Sequence, residues 1–98
     1  MTDTLRHDAA FPAGPAAAAS LLEPLLASAA GAGAEPVSLT LDYGRKPAAG
    51  DPVVVEAWID RATRTLVFAH ARLLTQAGDL AASGSAVFRR DAPAQAAA

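Results

Sequence analysis

The stretch LDYGRKPAAGDPVVVEAWIDRATRTLVFAHARL, residues 41–73, decides the fold class. Its polarity alternates with a period of two. Val53, Val55, Ala57 and Ile59 point one way, while Val54, Glu56, Trp58 and Asp60 point the other. After DRATR, the same alternation resumes: Val67, Ala69, Ala71 and Leu73 oppose Leu66, Phe68, His70, Arg72 and Leu74. Period two is the signature of β-strands, whose successive side chains leave opposite faces. A link as short as DRATR makes the two strands antiparallel neighbours. The longer RKPAAGDP, with its prolines and Gly50-Asp51, marks a change of strand position.

The pattern extends in both directions. In VSLTLDY, Val37, Leu39, Leu41 and Tyr43 share one face, and Ser38, Thr40 and Asp42 the other. In LAASGSAVFRR, Leu80, Ala82, Gly84, Ala86 and Phe88 oppose Ala81, Ser83, Ser85 and Val87, after a TQAGD turn. Upstream, at most a short strand falls at residues 5–10. Between that segment and the strands, Pro15 to Ala30 reads as a helix. Proline suits a first helical turn, alanine and leucine are strong helix formers, and Gly31 and Gly33 offer a stop. Pro24 inside a helix costs about 3 kcal/mol, which predicts a kink or a break into two short helices near Leu21–Glu23. The expected architecture is α+β: a central helix, kinked at Pro24, packed on a curved antiparallel sheet of four to five strands. Residues 1–90 form one domain, and residues 91–98, DAPAQAAA, form a disordered tail.

Composition narrows the chemistry. The chain has 98 residues, a net charge of −2 and no cysteine, and its only histidines are His7 and His70, far apart in sequence. These facts argue against a disulfide scaffold, a thiolate nucleophile, a metal site and a resident cofactor. They also argue against a basic surface for nucleic acid or an anionic membrane. No basic segment precedes an apolar run, and the alanine-rich stretch 16–34 is interrupted by Glu23, Pro24 and two glycines, so a cytoplasmic, non-membrane protein is expected. Ser20, Ser28, Ser83 and Ser85 lack a nucleophile elbow, and the GAGAEP glycines lack the lysine of a phosphate loop. A small chain with a two-sided sheet has little core of its own. Val54, Trp58, Leu66 and Phe68 on the face away from the helix predict an exposed apolar patch, and hence a homodimer or homotetramer.

The order of these elements, with LDYGRKPAAGD and the following strands through SAVFRR, resembles the hotdog-fold acyl-CoA thioesterases over about two-thirds of the chain. That resemblance implies sheets paired edge to edge and sites at the dimer interface beside the start of the central helix. It also implies hydrolysis of an acyl-CoA or related thioester. In the most similar branch a His-Gly-Gly motif opens the helix and a carboxylate follows within about two turns. Here Pro12-Ala13-Gly14-Pro15 stands at the opening. Gly14 alone matches a motif glycine, and its neighbourhood becomes the oxyanion-binding backbone. Glu23 becomes the catalytic carboxylate, as the only acid between Asp8 and Glu35. Read from the residues alone, Glu23 is first a solvent-facing charge on the outer side of a short helix. Arg45, Lys46, Arg89 and Arg90 become the cations for coenzyme A phosphates, among strand-end basic residues that include Arg61 and Arg64. His7 reads as a terminal residue or a substitute for the missing histidine. His70 reads as a packed or interfacial residue, and Asp42 as a strand-end group. The alternative to hydrolysis is a non-catalytic module that binds an acyl or aromatic ligand, or serves as an oligomeric partner subunit.

Overall fold

The computed structural model describes residues 4–91. The tail expected from residue 91 onward lies, past Asp91, outside the described residues. Six elements follow in chain order: β1 (Leu5–Ala10), α1 (Ala17–Ala30), β2 (Glu35–Tyr43), β3 (Pro52–Ala62), β4 (Leu66–Thr75) and β5 (Leu80–Arg89). The strands form one antiparallel sheet in the order β1-β3-β4-β5-β2. The two hairpins expected from DRATR and TQAGD are β3-β4 and β4-β5. The long RKPAAGDP link carries the chain from one edge of the sheet, β2, to β3 near the other.

The period-two reading of the central strands gives the core directly. Val53, Val55 and Ala57 of β3, Val67, Ala69, Ala71 and Leu73 of β4, and Ala82, Ala86 and Phe88 of β5 are buried on the face toward α1. The helix covers them with Ala18, Leu22 and Leu26, three residues at a spacing of four that form one row. Leu22 and Leu26 are both 0% exposed. α1 packs mainly on β3 and β4, less on β5, and least on β1.

The expected break at Pro24 does not occur, because α1 is one helix of 14 residues with Pro24 inside it. Pro24 and Ser20 both lie on the exposed side, so the Ser20 carbonyl that loses its helical donor is open to water. The buried row holds the turns on either side of Pro24 against the sheet, and that packing outweighs the lost bond. The helix begins at Ala17, since Gly14, at φ +107°, and the two residues after it form a turn.

Three face assignments change, one of them Ala81, which adjoins a register shift and is 4% exposed instead of facing outward with Ser83 and Ser85. Between Pro36 and Ser38 the register against β5 shifts, so Val37 has no partner opposite it and is 51% exposed instead of joining Leu39 and Leu41. A second shift, between Leu73 and Leu74, sets Leu80 opposite Leu74 and leaves it 48% exposed, away from the face of Ala82. The outer face is half-covered by its own polar neighbours, not bare. Trp58, Phe68, Leu66 and Val54 are all partly buried. The Arg72 guanidinium lies 5.8 Å from the Trp58 ring centroid and 2.7 Å from Glu56, and Arg61 lies 5.8 Å from the Phe68 ring.

The Gly50-Asp51 corner ties the start of β3 to the end of β1. Gly50 N–H donates to the Phe11 carbonyl and Phe11 N–H to the Asp51 carbonyl, both at 2.8 Å. The Asp51 carboxylate accepts from Ala48 N–H at 2.9 Å. Phe11 is thereby held, 5% exposed, beneath the entrance to α1.

Candidate functional site at the start of the helix

The turn after Phe11 delivers the chain into α1 without a side-chain cap. The amides of Ala17, Ala18 and Ala19 precede the first intrahelical donor, Ser20 N–H, which reaches the Ala16 carbonyl at 2.9 Å. Such first-turn N–H groups carry the positive end of the helix dipole. Ala17 and Ala18 open onto a cavity of about 290 Å³ whose wall also includes Phe11, Gly14, Tyr43, Gly44, Lys46 and Ala81. The lining is largely apolar and its small residues leave room. The far side of the cavity is the end of β2, held by Gly44 N–H to the Ala81 carbonyl at 2.8 Å and Arg45 N–H to the Leu80 carbonyl at 3.1 Å. Gly44 permits that approach, because a Cβ there would be driven into the Leu80 carbonyl oxygen.

Gly14 and Lys46, chosen from sequence for different roles, therefore meet in one cavity. Glu23 does not join them. It is exposed and borders a separate cleft of about 110 Å³ between α1 and β2, with Leu26, Ala34, Pro36, Ser38 and Leu39 among its walls. Arg45 stands beside Lys46, paired with Asp79 at 3.6 Å. Arg89 and Arg90 lie at the opposite end of β5: Arg89 is 3.8 Å from Glu35, and the Arg90 guanidinium donates to the Thr63 carbonyl. The four cations thus form two pairs at opposite ends of the sheet.

The remaining candidates lie elsewhere. His70 is on the outer face, with Nδ1 3.0 Å from Ser85 Oγ and its ring centroid 5.0 Å from that of Trp58. His7 sits on β1 beside a groove shared with Ser20 and Pro24, away from the cavity. Asp42 faces outward at the end of β2, opposite Ser83. Sequence reading did not single out Phe11, Tyr43, Ala17 or Ala18 for the site. Their only signal was position, immediately before the Pro12–Pro15 opening, before Gly44, and in the first helical turn.

A family model described as the acyl-CoA thioesterase N-terminal domain matches residues 7–89. The chain belongs to this family. Its fold is the hotdog fold, and the protein is thioesterase-like. Solved structures of similar shape include zebrafish thioesterase superfamily member 2, at TM-score 0.79 and 20% identity over 88% of this chain and 73% of that one. A mutant of the phenylacetic acid degradation protein PaaI from Thermus thermophilus gives TM-score 0.78 and 19% identity over 89% and 84%. The smu.793 protein of Streptococcus mutans, solved with acetyl CoA bound, gives 0.75 and 11% over 93% and 82%. Among curated proteins no sequence matches. No helix among the described residues is long and apolar enough to cross a membrane. At the helix-start cavity the chain carries Pro12-Ala13-Gly14-Pro15, and Pro15 has no N–H to offer.

Proposed function

We propose that the protein hydrolyses an acyl-CoA or related thioester in a homodimer whose two sites each draw on both copies. The observation that carries this reading is the apolar cavity at the start of α1, lined by Gly14 and by Ala17 and Ala18 of the first helical turn, which has no side-chain cap. An acyl group fits the apolar walls, with its carbonyl oxygen at the helix N-terminus, where the amides stabilise the oxyanion that forms on attack. Glu23 takes a proton from water as the water oxygen bonds to the carbonyl carbon. The tetrahedral intermediate then expels the thiolate, which receives that proton, and the free acid leaves. Lys46 and Arg45, and Arg89 and Arg90 of the second copy, stand where the phosphates of coenzyme A would emerge.

The course of the edge strand β2 supports pairing Glu23 with the cavity of a second copy. β2 is a free edge that runs from Glu35 to Tyr43. The cavity lies at its Tyr43 end, and the Glu23 cleft adjoins its Pro36–Leu39 half. Antiparallel pairing of β2 with its twin about a two-fold axis sets the Tyr43 end of one copy against the Glu35 end of the other. Each cavity then faces the other copy's Glu23, and each Arg45-Lys46 pair faces the other copy's Arg89-Arg90. The same operation brings Glu35 toward Lys46, opposite in charge.

The test is steady-state hydrolysis across short, medium and aryl acyl-CoA panels, with Glu23→Gln alongside. The expected outcome is turnover that falls at least about a hundredfold in the variant while the dimer persists in sedimentation. Equal activity in both proteins, or none in either, rejects the assignment. Pro15 at the helix entrance favours a second reading, in which the cavity binds an acyl or aromatic ligand without turnover. Calorimetric binding with no hydrolysis by the wild-type chain is its signature.

A further inference from the structure

We infer that Tyr43 works in trans, its phenol hydroxyl donating a hydrogen bond to the Glu23 carboxylate of the second copy and so holding that carboxylate toward the cavity. The inference rests on the two-copy thioesterase site proposed above and adds a positioning residue to it.

Three observations lead to it. Tyr43 is 70% exposed, the most exposed large hydrophobic residue of the described chain, and among the described residues its hydroxyl has no hydrogen-bond partner. Its backbone is nevertheless immobilised, because the next two amides are bonded to β5 and Gly44 fits only without a side chain. The strand end from which the Tyr43 side chain projects is thus fixed against β5. Glu23, in turn, is the only charged residue of α1, and no ion pair or hydrogen bond engages it among the described residues.

The sheet geometry brings the two together. Tyr43 has the same parity as Leu39 and Leu41 and lines the cavity on the α1 side. A two-fold axis perpendicular to a continuous sheet leaves both helices on the same face. Tyr43 of one copy therefore projects on the helix side at the Glu35–Pro36 end of its twin, where Glu23 borders the cleft with Pro36 and Ser38. The other charged groups at that end include Glu35 and Arg89, already 3.8 Å from each other, Arg90, whose guanidinium donates to the Thr63 carbonyl, and the Arg45 and Lys46 that arrive with Tyr43. A phenol in this place lets Glu23 keep a defined rotamer, with one oxygen bonded and the other free for water.

The experiment uses the full-length chain. Tyr43→Phe lowers kcat about tenfold, the value of one hydrogen bond to a charged group, and leaves KM nearly unchanged. E23Q and Y43F chains are then unfolded together and refolded as a mixture. In the trans arrangement each mixed dimer has one site with both groups intact, so the mixture recovers about a quarter of wild-type turnover by random pairing, well above the mean of the two variants. Recovery no greater than that mean overturns the inference. A readout independent of catalysis comes from the absence of native cysteine: E23C/Y43C chains treated with a short bis-maleimide form a covalent dimer on a denaturing gel. A sedimenting dimer that yields only single chains overturns the inference, as does a chain that sediments as a monomer. A covalent dimer from a chain whose wild type hydrolyses nothing supports the juxtaposition and rejects the thioesterase chemistry instead.

Discussion

The two edges of the sheet are built on opposite plans. β1 is six residues long and carries Arg6, His7 and Asp8 in succession, with Arg6 and Asp8 3.5 Å apart. β2 is nine residues long, and between Glu35 and Asp42 it has no charge at all. Short length, charge, proline and bulges are the usual means of keeping a strand edge from pairing, and on β2 they are confined to its ends, at Glu35, Pro36 with the adjoining register shift, and Asp42. The helix leans on β3 and β4 and borders a groove on either side, one shared with His7 of β1 and one with Pro36, Ser38 and Leu39 of β2, and Glu23 lies on the β2 side. One edge is short and guarded by charge. The other is left open, and the residues proposed for chemistry border it.

Predictions that probe this contrast differ in size. The largest concerns the helix: Leu22→Ala removes a fully buried side chain and costs about 2–5 kcal/mol in urea unfolding. A loss below about 1 kcal/mol would show that α1 is not the lid of this core. Next, Gly44→Ala forces the end of β2 away from the Leu80 carbonyl and costs about 1–3 kcal/mol. Gly84→Ala costs less, because its new methyl meets the tip of the Leu41 side chain, at 3.0 Å, instead of backbone. An equal or reversed order in chemical denaturation would remove the account of how β2 is anchored.

Smaller effects test association. Val37→Lys combined with Thr40→Lys puts charge on β2 and weakens the dimer at least about tenfold by sedimentation, with hydrolysis lost in parallel. The matching change on β1, Arg6→Thr with Asp8→Thr, leaves the fold within about 1 kcal/mol of wild type, since the exposed pair contributes little. It frees a second edge, so higher oligomers appear with rising concentration. If lysines on β2 leave the dimer intact, the copies meet elsewhere and the two-copy site falls with them.

Legibility followed the range of the interaction. The hairpins of β3, β4 and β5 were readable because alternation and turn residues are local, and Val53, Val55, Val67 and Leu73 fell on the buried face as their parity required. Pro24 misled for the opposite reason. Its local cost is real, yet the row of Ala18, Leu22 and Leu26 packed on the sheet outweighs it. Val37 and Leu80 were misplaced because each neighbours a register shift, and a one-residue shift reverses a face without changing composition. At the cavity, Gly14 and Phe11 are near neighbours in sequence, both at the entrance to the helix, whereas Tyr43 lies far from them and reaches them only through strand order.

The sequence by itself determined the elements, their antiparallel succession and the side of each central strand that turns inward, since period, turn chemistry and helix propensity act between near neighbours, and the resemblance of its motifs added the likeness to a thioesterase fold. Only the tertiary structure decided that β2 and β1 become the two edges, that Gly14 and Lys46 share one cavity, and that Glu23 stands apart from it. Those outcomes depend on which distant segments pack together, and that choice is made by the burial of the whole sheet beneath one helix, a sum no local stretch contains.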